Sequence, residues 1–271
     1  MLTAAWTDKG IRKSINQDSL LVEEADTDGD SVLFAAVCDG MGGLSYGEHA
    51  SGEAVRALDK WFSLDVPAFL QTGFSDEAIA DSLGDVIQTV HARLNAFSAS
   101  HGACGTTLAG VMIGFGHFLC VNIGDSRVYR IGNGELRQLT HDQTVAQDEF
   151  DRGLVTAEEL AVHPSRNVLL QCMGAGSSVV PAWTRGRYDE GDVFLLCSDG
   201  FRHKLSPDEI QTRFAPDRMT SEQAMTMAAR EAVEENMRRA ERDNISVILV
   251  QTAGGEPSRS SSSVPWRPPH S

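Results

Sequence analysis

The 271-residue sequence has no CxxC pair, no apolar run long enough to cross a bilayer, and few basic residues for its acidic content. Each shortage removes a class of function. The five cysteines, Cys38, Cys104, Cys120, Cys172 and Cys197, form an odd set without paired spacing, and most lie in apolar runs such as HFLCVN and FLLCSDG. They are expected as buried free thiols, not a disulfide frame or a zinc site. That expectation points to a reducing, cytoplasmic setting. The longest apolar stretch, Leu108 to Val121, is broken by Gly110, Gly114, Gly116 and His117. The opening MLTAAWTDKGIRKS lacks the apolar core of a secretion signal. With 23 Lys and Arg against 38 Asp and Glu, the net charge of −15 would repel nucleic-acid phosphates and anionic membranes. Neither a Walker lysine motif nor HExxH occurs. The DTDGD segment at Asp26 has Ser31 and Val37 where a calcium loop needs Gly and Glu, so it reads as a polar turn.

What is present suits a folded enzyme or binding domain. Hydrophobic residues make up 41 %, enough for a sizeable core. Short apolar runs at Val32–Cys38, Leu108–Ile113, Phe118–Ile123, Arg127–Ile131, Val193–Cys197 and Ile245–Val250 read as strands, several ending on Gly-rich turns. Helical spacing is clear in Ala50–Phe62 and in Asp76–Phe97, where Ile79, Leu83, Val86, Ile87, Val90 and Leu94 recur at three- and four-residue steps. Capping boxes are expected at Thr156, Ser206 and Thr220, the last opening a helix with Met225, Ala228, Ala232 and Val233 on its core face. Strands grouped in meanders with helical pairs between them predict an α+β fold with antiparallel sheet covered by helices. No internal break divides residues 1–252, which read as one domain; the Ser/Pro-rich 253–271 reads as a disordered tail.

The chemically informative pattern is an acid at the end of an apolar strand, seen twice: AAVCDGMGG gives Asp39-Gly40 and FLLCSDGF gives Asp199-Gly200. IGDSR adds Asp125 after a strand, RDNISV adds Asp243 just before one, and NQDSL adds Asp18 near the start of the chain. Carboxylates gathered at strand ends repel one another unless cations lie between them. Oxygen-only ligands favour Mg²⁺ and Mn²⁺, and two such ions activate water for attack on a phosphoryl group. A two-metal hydrolase is one reading of these residues; Asp-Gly pairs that merely mark turns are the other.

Eight pieces in order carry a resemblance: GIRKSINQDS, VCDGMGGLSYGEHAS, GTTLAGV, NIGDSRVYRI, LTHDQT, HPSRNVLLQCMGA, DVFLLCSDGF and RDNISVILV. Together they span nearly the whole chain before the tail, and they resemble a bacterial PPM/PP2C-type protein serine/threonine phosphatase. The resemblance implies a PP2C-like α-β-β-α sandwich, two antiparallel sheets flanked by helix pairs, with a mobile flap over residues 145–166. It implies that Asp39 bridges two Mn²⁺ or Mg²⁺ ions, that the Gly40 carbonyl binds one of them, and that Asp199 and Asp243 complete the other shell. Asp18 would hold metal-bound waters, and Asp125 with Asp199 would offer a third ion site. The family's phosphate-binding arginine falls at Lys13, with Arg12 beside it; Lys offers a point charge without the bidentate fork. The family's eukaryotic histidine is replaced by Met41, leaving His49 and His141 as candidate acids.

The implied activity is hydrolysis of phosphoserine and phosphothreonine in proteins by in-line attack of a hydroxide bridging the two metals, opposing a bacterial Ser/Thr kinase in signalling. The expected setting is a cytoplasmic monomer with phosphoprotein partners and no nucleic acid or membrane. Two other functions share the scaffold: a non-catalytic phosphoprotein-binding regulator, and a small-molecule phosphomonoesterase.

Overall fold

A computed structural model describes residues 1–26, 31–41, 46–72, 75–252 and 264–266. The polar-turn reading of DTDGD falls largely outside these residues, as does most of the tail. One sheet holds β1 (Leu2–Asp8), β10 (Ile245–Gln251), β9 (Val193–Cys197), β6 (Arg127–Gly132) and β7 (Glu135–Gln138), in that order. The other holds β11 (Val264–Trp266), β8 (Ala182–Arg187), β5 (His117–Ile123), β4 (Leu108–Gly114), β3 (Ser31–Asp39) and β2 (Asp18–Asp26). Every pairing is antiparallel.

The near-continuous apolar run of β3 follows from burial on both faces. Leu33, Ala35 and Val37 pack between the sheets, while Val32, Phe34, Ala36 and Cys38 pack under helices. Helices α1 (Gly47–Thr72) and α2 (Asp76–His101) cover that outer face with Leu58, Trp61, Leu83, Ile87 and Leu94. On the opposite side α5 (Asp199–Arg202), α6 (Pro207–Arg213) and α7 (Glu222–Arg238) cover β1, β10 and β9. The result is the expected α-β-β-α layering. Two short helices, α3 (Val145–Asp151) and α4 (Ala157–Ala161), lie between β7 and β8.

Local signals behave as their chemistry dictates. Both boxes at Thr156 and Ser206 form with reciprocal bonds, to Glu159 and Glu209. The third helix start differs: Ser221, not Thr220, caps α7, its hydroxyl accepting from the Ala224 N–H. Ala229 replaces Ala228 among the buried positions of that helix. The Gly114–His117 segment turns tightly with positive φ at Phe115 and Gly116, which joins β4 to β5. Strands β1, β2 and β7 carry no clear apolar run because each lies at a sheet edge and buries one face at most. Within the tail, Val264–Trp266 pairs with Trp183–Arg185 of β8. All five cysteines are buried and free, and no helix among the described residues is long and apolar enough to cross a membrane.

Phe118 and Phe194 meet edge-to-face between the sheets, with ring centroids 5.3 Å apart and Phe194 fully buried. Truncating Phe194→Ala is expected to cost about 3–5 kcal/mol. Urea unfolding checks this: the midpoint falls at unchanged m, whereas an unchanged midpoint contradicts the packing described.

Candidate active site

Strand register brings the first two acids together. Asp18 opens β2 and Asp39 closes β3, and the two are directly paired across the ladder. Counting in steps of two from Leu20 and Val37 puts both side chains on the face turned toward the other sheet. Asp39 is held by its backbone: its N–H donates to Thr107 Oγ1 at 3.0 Å, and its carbonyl accepts from the Thr107 N–H at 2.9 Å and the Thr106 hydroxyl at 3.0 Å. Gly40 follows because nothing larger fits. A Cβ there would run into the carbonyl oxygens of Gly47 and Gln17.

The other sheet supplies the remaining acids. Asp199 begins α5 directly after β9, and Asp243 precedes β10. The Asn244 side chain accepts from the Gln17 N–H at 3.0 Å and donates to the carbonyls of Lys9 and Ile15, at 3.0 and 3.1 Å. These bonds fasten the 9–17 loop against the start of β10. They bring Lys13 to the acids, where its ammonium contacts Asp243 Oδ1 at 2.7 Å. Arg12, one residue away, is exposed. Asp125 follows the positive-φ Gly124 between β5 and β6, and Arg202 of α5 donates to its carboxylate at 3.2 Å.

Electrostatics shows that five acids remote in sequence form one cluster. Burial, followed by the charges of Asp18, Asp199, Asp125 and Asp243, holds the Asp39 carboxyl well above the usual carboxylate range. Asp18 is pushed up to about 6 by burial, with Asp199 and Asp243 adding and the Ser246 and Ser198 hydroxyls opposing. Asp125 is raised to about 7 by burial and Asp199, against the pull of Arg202. Burial works against the charge on Lys13, but its bond to Asp243 and the charges of Asp243, Asp39 and Asp199 outweigh it, raising its pKa. Lys13 therefore stays cationic at the mouth of the cluster.

Several contributors carry no sequence signal of their own. Asp18 Oδ2 accepts from the Ser198 hydroxyl at 2.9 Å and the Ser246 hydroxyl at 2.6 Å, both from the opposite sheet. His203 lies between Asp199 and Glu241, 3.5 Å from each. Burial lowers its pKa, but these carboxylates more than compensate and raise it. The histidines that the sequence singles out lie elsewhere in their contacts. His49 stacks on Phe97 with centroids 4.0 Å apart, and the exposed His141 pairs with Asp151 at 2.6 Å.

The donor set suits hard divalent cations. Asp18 Oδ1 and Asp199 Oδ1 are buried without a hydrogen-bond partner, as is the nitrogen His203 Nε2, and the gathered carboxylates offer oxygen. Among the described residues no three acid, imidazole or thiol side chains stand as a finished ligand set. The cluster is thus an electrostatic assembly, each member delivered by a different loop or strand end. An open cleft of about 1050 Å³ leads to it, lined by Lys13, His203, Asp243 and, across from them, Leu160, Val162 and Arg166 of the 145–166 segment.

The family model described as "Protein phosphatase 2C" matches residues 9–244. The chain is 32 % identical over 249 residues to the serine/threonine phosphatase stp of Listeria monocytogenes, covering 90 % of this chain and 93 % of stp. It is 33 % identical over 213 residues to the serine/threonine protein phosphatase PstP of Mycobacterium tuberculosis, covering 76 % of this chain and spanning only 37 % of PstP. A crystal structure of the PstP catalytic domain in complex with two manganese ions superposes with a TM-score of 0.75 at 25 % identity, covering 93 % of this chain and 98 % of that one.

Asp18 yields a pH test. In chelator-treated protein, Asp18→Asn keeps an oxygen for both serine hydroxyls and removes a charge that burial penalises. The folded-state pKa of about 6 lies above the ordinary carboxylate value, so the native state binds the extra proton between the two. Wild-type stability relative to the variant should fall as pH rises through that window. Near pH 4 and below the two should match; above about pH 6 the variant should be more stable, by on the order of 1–3 kcal/mol. Urea titrations across this range decide it, and a variant less stable at high pH contradicts the electrostatics.

Proposed function

The chain belongs to the protein phosphatase 2C family, and we propose that it hydrolyses phosphoserine and phosphothreonine in proteins using two divalent cations, Mn²⁺ or Mg²⁺. Asp39, Asp199, Asp243 and the Gly40 carbonyl would hold the ions. The observation that carries this reading is the convergence of Asp18, Asp39, Asp199 and Asp243 from both sheets around one ammonium, Lys13. So much negative charge repels a phosphate unless cations intervene. Bound there, such ions supply water of lowered pKa as nucleophile and neutralise charge on the phosphoryl oxygens.

The chain's own groups do the rest. Lys13, protonated and at the mouth, holds the phosphate as a point charge, with the exposed Arg12 as a second, outer cation. Asp18, anchored through Oδ2, keeps Oδ1 free to accept from a water and so to fix its orientation. Gly40 keeps its backbone close enough to the cluster to offer a carbonyl. The His203–Glu241 contact holds the imidazole beside Asp199, where its charge faces that carboxylate. With water as nucleophile, no covalent phosphoenzyme forms.

The open cleft supports a peptide substrate, since its far wall is a helical segment and not a closed pocket. That the relatives stp and PstP are serine/threonine phosphatases supports phosphoserine and phosphothreonine as the substrate groups. In the cell we place the protein in the cytoplasm as a monomer, opposing a Ser/Thr kinase in signalling.

Hydrolysis of p-nitrophenyl phosphate and a phosphothreonine peptide tests this reading, with Mn²⁺, Mg²⁺ or EDTA. Turnover is expected only with metal, and Asp39→Asn and Asp199→Asn should each lower kcat/KM by at least about 100-fold. Lys13→Ala should raise KM and Lys13→Arg should restore it. Activity should rise with pH as metal displaces protons from Asp39 and Asp18. Folded protein without turnover under any metal overturns the enzyme reading.

A further inference from the structure

Beside the principal cluster lies a second charged group with a different balance. Asp125 and Asp142 are both buried, their side chains 6 % and 8 % exposed. Arg202 Nη2 donates to Asp125 Oδ2 at 3.2 Å and to the Asp125 carbonyl at 3.2 Å, and lies 3.4 Å from Asp142 Oδ2. Arg127 grips Asp142 with both prongs, Nε to Oδ1 at 2.8 Å and Nη2 to Oδ2 at 2.7 Å. Two guanidiniums thus face Asp125 and Asp142, while Asp199 adds its own charge to Asp125 from the principal cluster. The principal cluster has a larger excess of acid: Asp18, Asp39, Asp199 and Asp243 face the Lys13 ammonium and the His203 imidazole.

Guanidinium does not give up its proton, so its charge is permanent. A divalent cation approaching Asp125 would meet a positive charge already bonded to that residue's carboxylate and carbonyl. Arg202 is also fixed at its root. It ends α5, whose Phe201 is fully buried and whose Gly200 packs against the Asn244 carbonyl. The residues around Asp125 therefore do not fit a third metal ion.

We infer that the Arg202 guanidinium stands in for a third cation at Asp125, so that this chain binds two divalent ions and not three. The inference rests on the two-cation reading above. It makes Asp125 the partner of a built-in charge and Arg202 the residue that sets metal stoichiometry.

Equilibrium dialysis of the full chain against Mn²⁺, with bound metal counted per chain, tests it. Wild type and Asp125→Asn should both bind two ions. Arg202→Ala should bind three, the third lost again in the Arg202→Ala/Asp125→Asn double variant, while Arg202→Lys stays at two. Thermal melting of each variant establishes that it is folded, and Asp125→Asn, which keeps the side chain's shape, tests the idea without removing the arginine. Three ions on wild type falling to two in Asp125→Asn overturns the inference alone. Two ions on folded Arg202→Ala also overturns it. Fewer than two on wild type overturns the two-cation reading and this inference with it.

Discussion

The hydrogen bonds of Asp18 to Ser198 and Ser246 are the contact on which the site depends. Asp18 belongs to the edge strand of one sheet, and the two serines sit at the facing ends of β9 and β10 in the other. Apolar packing between the sheets is non-directional and leaves their relative position loosely defined. Two short hydroxyl bonds to one buried carboxylate fix it at the end where the chemistry lies. The same serines are bound to each other's strands, the Ser246 N–H donating to Ser198 Oγ and the Ser198 N–H to the Ser246 carbonyl. Asp39, register-paired with Asp18, is placed relative to Asp199 and Asp243 by this junction.

The arrangement is costly to the fold, and the fold is built to sustain it. Burial and mutual repulsion raise Asp18, Asp39 and Asp125 together, so the gathered acids oppose folding at neutral pH. Three apolar layers offset this: one between the sheets and one under each set of helices. The backbone absorbs what remains, through Thr106 and Thr107 around Asp39 and through Asn244 across the 9–17 loop. Functional sites often hold such opposed interactions in place by the surrounding structure. Here the opposition is electrostatic, and the bound cations proposed above would relieve it.

Much of this was legible in the sequence, and the parts that were not share a cause. The β3 run, the paired hairpin strands and the α2 periodicity announce themselves because each is buried over its length. Asp39, Asp125, Asp199 and Asp243 are visible because each stands beside a strand legible in the sequence, whereas Asp18 opens the edge strand β2 and is marked only by its motif. Ser198 and Ser246 are not, although they occur in the same motifs, since a hydroxyl that bonds across sheets looks like any serine until the sheets are stacked. His203 and Glu241 are separated by 38 positions and meet only through packing of α5 against α7 and β10. Edge strands β1, β2 and β7 lack a two-sided apolar pattern, and the α7 cap falls one residue later than the box at Thr220, on Ser221. The motif count points to Lys13, and the structure places its ammonium 2.7 Å from Asp243 Oδ1.

The central claim is that this end of the sandwich is a strained anionic assembly that divalent cations stabilise through Asp39. Thermal unfolding of the full chain in EDTA and in saturating Mn²⁺ tests it most directly. The account predicts that Mn²⁺ raises Tm by several degrees, as ligand binding to the native state requires, and that Asp39→Asn loses most of this gain while its metal-free Tm rises. Identical melting of wild type with and without Mn²⁺, or an undiminished gain in Asp39→Asn, would contradict it.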